Sequence, residues 1–338
     1  MSEWNREIFD IEDTSAATLQ ASAAGAKAFR DAVSGVSVHW GLYTVLGKNE
    51  WSLYLDKMEH EAYFKTLMPK FNPARFCAEE WADLMLEARQ RFFMMTAKHH
   101  DGFCMWDTAL SDKKVTNTPL GRDLCAEIAT AMQERGIHVH WYYSLLDWTH
   151  PAYHSREKWH EYRDYLHAHL RELLTGYGPI HGVLFDGYWP RTAFDENDAP
   201  VFKEQGLYRL AEVYDLIHAL QPDAMVTNNH HAPILKGEDY QVLELDVPGE
   251  NLSKSYMTTE PVNGIPQGAW WFLGGGWGYQ PARHTVRPVE DVMDKMRKTR
   301  ARDGTLIINA APRSFGDIHP DEAWTLRRIG ERMREEGL

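Results

Sequence analysis

Carboxylates and imidazoles recur in this chain directly after short apolar runs, where a strand would deliver them to a rim. Asp186 follows Gly-Val-Leu-Phe and precedes Gly187. A carboxylate delivered into a glycine, whose missing side chain leaves space for a ligand, reads as a nucleophile or a metal ligand; the plainer alternative is a loop-bracing or helix-capping Asp. Glycoside cleavage needs a second carboxyl group, about 5–5.5 Å from the first if configuration is retained and about 6.5–9.5 Å if it is inverted. Glu244, Asp246 and Glu250 in LELDVPGEN are the candidates. His39, the pair His99-His100 and the pair His230-His231 offer a competing chemistry, since imidazole clusters hold metals. Consecutive strand residues point to opposite faces, so only one of each pair faces a common centre unless the chain turns out of the strand there.

The elements that must position these groups follow from periodicity. Strand-like runs near residues 36–43, 91–98, 137–144, 182–188, 225–229, 240–245, 269–273 and 305–310 alternate with helical spacing over 78–90, 123–135, 156–175, 202–220, 289–302 and 321–336. Gly136, Gly176 and Gly304 fall where helix C-caps are expected. The alternation predicts an α/β fold, a single-domain (β/α)8 TIM-like barrel, with catalytic groups at the C-terminal ends of its strands. His39, His99-His100, Tyr142, Asp186, Asn228-Asn229-His230-His231 and Glu244 all occupy such ends. Residues 1–32 read as a leader segment packed on the barrel, and 33–338 as the barrel itself.

The 36 basic and 49 acidic residues give a net charge of −13, which excludes nucleic acid as a partner. The acidic N-terminus lacks a secretory pattern and no apolar run reaches about 18 residues, so no membrane span is expected and the chain reads as cytoplasmic. Cys77, Cys104 and Cys125, odd in number, read as buried apolar residues. The 13 Trp, 15 Tyr, 13 Phe and 17 His suit sugar stacking as well as core packing; Trp81 and Phe92 read as core.

In order along the chain, VHWGLYTVLGKNEW, the FNPARF…KHHDGFCMWDT stretch, WYYSLLDWTHPAY, GVLFDGYW, EDYQVLELDVPGEN, GGWGYQP and TLIINAAP resemble the segments of glycoside hydrolase family 29, the α-L-fucosidases. The resemblance runs from about Ser37 to the C-terminus. It implies a barrel, a fucosylated oligosaccharide or glycoside as substrate, and retaining exo-hydrolysis through a covalent fucosyl-enzyme with no metal or other cofactor. By motif position Asp186 resembles the nucleophile. His39, Glu50, Trp51, His99, His100 and Tyr142 match positions that grip the sugar, and Trp277 resembles the aromatic that closes over it near the C6 methyl. Glu244 is the expected acid/base and Glu250 the alternative, because GAWWFLGGGWGY carries no carboxylate. Either would need a pKa raised by burial or by the charge on Asp186.

Three departures stand out. Leu184 replaces a common Trp, His230-His231 replaces a common Asp-Arg pair, and the usual C-terminal β-sandwich is missing, which leaves a barrel face for solvent or for a homo-oligomer contact. Other readings stay open: a related retaining glycosidase or transglycosidase on another 6-deoxy or galacto-configured sugar, a carbohydrate-binding barrel without catalysis, or a metal-dependent hydrolase.

Overall fold

The structure, a computed structural model, describes residues 17–155, 157–188, 208–231, 233–256 and 258–338. Eight strands are present among them: β1 (Ser34–Val38), β2 (Phe92–Lys98), β3 (His138–Ser144), β4 (Gly182–Asp186), β5 (Met225–Asn228), β6 (Gln241–Glu244), β7 (Gln267–Phe272) and β8 (Thr305–Ala310). All pairings are parallel, in the order β5-β4-β3-β2-β1-β8-β7-β6. Such strands are covered on both faces and read as nearly unbroken apolar runs; β2, FFMMTAK, is buried at every position.

The seam between β5 and β6 is closed just before β6 begins. The N–H groups of Asp239 and Tyr240 donate to Val226 O, and Thr227 Oγ1 donates to Tyr240 O at 2.6 Å. The result is a nearly closed (β/α)8 TIM-like barrel. Phe92, Met94, Tyr142, Leu184, Tyr240, Trp270 and Ile307 fill its interior. A helix at Ala23–Asp31, capped by Ser22, inserts Phe29 against Phe92 and Tyr240 and so plugs the end opposite the strand C-termini.

A larger apolar layer lies between the strands and the helices Ala78–Glu87, Leu124–Glu134, Trp159–Thr175, Leu210–Leu220, Val289–Arg300 and Pro320–Glu336. None of the helices among the described residues is long and apolar enough to cross a membrane. Trp81 and Phe92 are core, as expected, whereas Cys77 is only half-buried.

Three local expectations are corrected. The first strand stops at Val38, because Tyr43–Leu46 and Ser52–Leu55 form single helical turns too short for periodicity to reveal. Gly136 is left-handed past its helix, with φ +67°, but Gly176 is right-handed. Near Gly304 the left-handed residue is Asp303, and Gly304 instead lets Gln267 O and Thr299 approach. The expected start of a helix at 202 lies outside the described residues.

Candidate active site

β4 delivers Asp186 to the C-terminal rim, 5 % exposed. Its Oδ2 accepts from Tyr142 Oη at 2.5 Å, and its Oδ1 accepts from Gly187 N at 2.8 Å and Asn229 Nδ2 at 3.2 Å. Gly187 does not make room for a ligand. Its φ is +80° and a Cβ would stand 2.5 Å from Leu146 Cβ, so backbone geometry and a neighbouring side chain require it.

Glu244, the last residue of β6, is half-buried beside this group. Its Oε2 accepts from Asn229 Nδ2 at 2.8 Å and lies 3.5 Å from His231 Nε2, while Tyr256 Oη contacts its backbone. Two carboxylate oxygens within 3.2 and 2.8 Å of one nitrogen are at most about 6 Å apart. Glu250 turns elsewhere, its carboxylate 3.6 Å from Lys295 and 3.8 Å from Lys298 on the helix Val289–Arg300.

The electrostatics differ from expectation. Burial and then the charge of Glu244 push Asp186 up to about 7, against the hydrogen bonds that favour its anion. Glu244 is also penalised by burial, but His231, Asn229 and His39 outweigh this and hold it below the ordinary glutamate value. These opposite directions favour the proton of the pair on Asp186, and the apparent values belong to the pair rather than to either residue.

Neutral imidazoles form one wall. His39 Nδ1 is 2.8 Å from Asn309 Oδ1, and the Asn309 amide donates to Trp277 O, so His39 presents Nδ1–H to Asn309 and turns Nε2 away. Burial lowers His39 to about 4. Ser144 donates to Leu146 O and so accepts from His100 Nδ1 at 2.6 Å, leaving His100 Nε2 facing Asp186 Oδ2 at 3.9 Å. Burial holds His99 and His100 well below the ordinary value.

His99 and His100 lie beyond the last residue of β2, so the opposite-faces argument does not apply. Their ring centroids are 4.1 Å apart, and with Asp186 they offer three ligand atoms within 4.8 Å. His99 stacks on Tyr142 at 5.4 Å.

The aromatic residues complete the cup. Trp277 packs on Trp270 at 4.4 Å and His39 at 5.2 Å, and Trp51 meets His100 and Trp148 edge-on at 5.3 Å each. Glu50, raised by burial, accepts from Gly278 N at 3.0 Å and so ties the loop after β1 to the Trp277 loop. Leu184 lies on the barrel floor, in register with Tyr142. Trp189 of GVLFDGYW lies outside the described residues.

From sequence, Asn229 stands at a strand end without a role and His231 stands there only as a candidate metal ligand, while Asn309, Tyr256 and Tyr43 carry no sequence signal at all. Their signal is convergence in space, which no spacing rule carries. His230, a candidate metal ligand by sequence, pairs with buried Glu238 at 2.9 Å.

The family model "Alpha-L-fucosidase" matches residues 10–338. Alpha-L-fucosidase 1 of Arabidopsis thaliana is 26% identical over 282 residues, covering 77% of this chain and 52% of that protein. Tissue alpha-L-fucosidase of Homo sapiens is 30% identical over 207 residues, 52% of this chain and 44% of that one. The chain thus spans about half the length of these curated relatives. Among solved structures, a GH29 alpha-L-fucosidase from Bacteroides thetaiotaomicron, described as a covalent intermediate trapped with 2-fluoro-fucosyl fluoride, superposes with TM-score 0.81 at 26% identity, covering 95% of this chain and 77% of that one. Alpha-L-fucosidase isoenzyme 1 from Paenibacillus thiaminolyticus gives 0.79 at 28%, covering 93% and 76%. With its barrel, its rim carboxylates and a family match over almost its whole length, this chain belongs to the alpha-L-fucosidase family of glycoside hydrolases.

Proposed function

We propose that this chain is a retaining exo-α-L-fucosidase, with Asp186 as nucleophile and Glu244 as acid/base. Asp186 attacks C1 as the bond from C1 to the aglycone oxygen breaks, and that oxygen takes the proton from Glu244. Water then bonds to C1 while giving a proton to Glu244, and the bond from C1 to Asp186 breaks.

The observation that carries this reading is the shared Asn229 amide. It limits the Asp186–Glu244 oxygen separation to at most about 6 Å, which lies below the inverting range of about 6.5–9.5 Å. The pair also holds one proton between pH values set by its two pKa values, as double displacement requires. Positive charge developing at C1 favours the Asp186 anion and so moves that proton to Glu244, which faces the leaving oxygen.

Recognition rests on groups poised for hydroxyls. The Tyr43 hydroxyl and His99 Nδ1 are buried without a hydrogen-bond partner among the described residues, and His39 and His100 are held neutral by burial. Such groups are costly until a ligand pairs them. Trp277 supplies an apolar edge suited to a 6-deoxy sugar. The trapped intermediate of the Bacteroides relative is consistent with the same covalent route.

A metal-dependent reading draws on the His99, His100 and Asp186 group. Against it, both Asp186 oxygens already accept protein hydrogen bonds. The test is hydrolysis of an aryl α-L-fucoside by the wild type, with and without EDTA, and by Asp186→Gly. The proposal expects activity that resists EDTA and falls at least about 1000-fold in the variant. An inactive wild type, or full activity in Asp186→Gly, contradicts it.

A further inference from the structure

On the same rim but apart from the carboxylate pair, the loop after β7 and the start of the helix Pro320–Glu336 bring His284, His319 and Asp321 together. One nitrogen from each ring and one carboxylate oxygen lie within 4.8 Å of one another. Asp321 Oδ2 is 3.4 Å from His284 Nε2 and 3.7 Å from His319 Nδ1, and the two rings are 3.7 Å apart. A tetrahedral ion with bonds of about 2.0–2.1 Å keeps its ligands about 3.4 Å apart, so this is close to the spacing of a coordination shell. The imidazoles are half-buried and Asp321 is exposed, so the remaining closure needs only side-chain rotation.

We propose that His284, His319 and Asp321 form a site for a divalent transition metal of the Zn2+ class, with its fourth position open. Two imidazoles and one carboxylate favour such an ion over Mg2+ or Ca2+, which prefer oxygen ligands. His319 Nδ1 accepts from Asp321 N at 3.2 Å, a long capping bond that coordination would replace. The site has a structural consequence. Tyr279 packs on both rings, at 5.9 and 6.0 Å, and directly follows in sequence the Trp277-Gly278 segment, whose Gly278 N donates to Glu50, so a bound ion joins that segment to the last helix.

The test is titration of Zn2+ into the EDTA-treated full chain by calorimetry, alongside thermal unfolding and aryl fucoside hydrolysis, for wild type, His284→Gln and Asp321→Asn. We expect one saturable ion per chain at micromolar concentration, a higher Tm in its presence, and at least about tenfold weaker binding in both variants, whose circular dichroism and metal-free hydrolysis stay at wild-type level. No saturable binding, or equal affinity in the variants, overturns the proposal. Inhibitory binding that survives in His284→Gln also overturns it, because it places the ion at His99, His100 and Asp186.

Discussion

Asp186 and Glu244 accept hydrogen bonds from the same nitrogen, Nδ2 of Asn229, at 3.2 and 2.8 Å. Three consecutive strands, β4, β5 and β6, thus end on one amide that spaces two acids and stabilises both anions.

Asn229→Ala removes that donor without touching either acid. The kcat/KM for an aryl α-L-fucoside should fall about 100-fold, the scale of losing one aligned donor in a water-poor site. Both pair pKa values should also rise, so the alkaline limb moves to higher pH. A pH profile with unchanged limbs would sink the bridging role.

The pH profile of the wild type should be bell-shaped. Activity needs one proton on the pair, so kcat/KM falls as pH rises past about 7, where Asp186 titrates. It falls again at acid pH, where Glu244, held below its ordinary value, takes a second proton. His231→Gln should move the acid limb to higher pH while His231→Arg keeps it low; equal limbs in both variants would show that His231 does not act on Glu244.

Stability carries its own pH signature in Glu322, buried near the start of the last helix, where it accepts from Ala311 N at 3.0 Å. Burial raises it to about 7. Because the folded value lies above the unfolded one, its contribution is full below about pH 4.5, is lost as pH rises, and is gone above about 7. That amounts to about 3 kcal/mol. Glu322→Gln keeps an acceptor and removes the titration, so its Tm should gain on the wild type between pH 4.5 and 7 and run parallel above. A constant difference would refute the assignment.

Lys98 and Asp147 form a fully buried ion pair, 3.2 Å apart, behind the His99-His100 turn. Burial penalises Asp147, but Lys98 holds its carboxyl below the ordinary value. Lys98→Ala strands that charge and should cost about 3–5 kcal/mol in urea unfolding. A loss below about 1 kcal/mol would mean that the pair is replaceable.

The strands were legible because parallel strands buried on both faces need continuous apolar runs, and Asp186 because it ends one. The choice between Glu244 and Glu250 was not. Lys295 and Lys298, more than forty residues further on, draw Glu250 away, and only the closed barrel brings Asn229 and His231 to Glu244. The reason for Gly187 was also misread, since Leu146 comes from another strand's loop. The raised pKa expected of Glu244 resides on Asp186, through burial and the charge of Glu244, while His231 stabilises the Glu244 anion, and no spacing rule foretells that contact.

The most direct test of the carboxylate roles is the anomeric form of the azide product, read by proton NMR, when aryl α-L-fucoside is treated with azide and Asp186→Gly or Glu244→Ala. If Asp186 is the nucleophile, Asp186→Gly lets azide attack the substrate directly and gives β-L-fucosyl azide. Glu244→Ala still forms the covalent intermediate, and azide then gives the α-anomer. The same anomer from both variants, or no azide product from Glu244→Ala, would contradict the account.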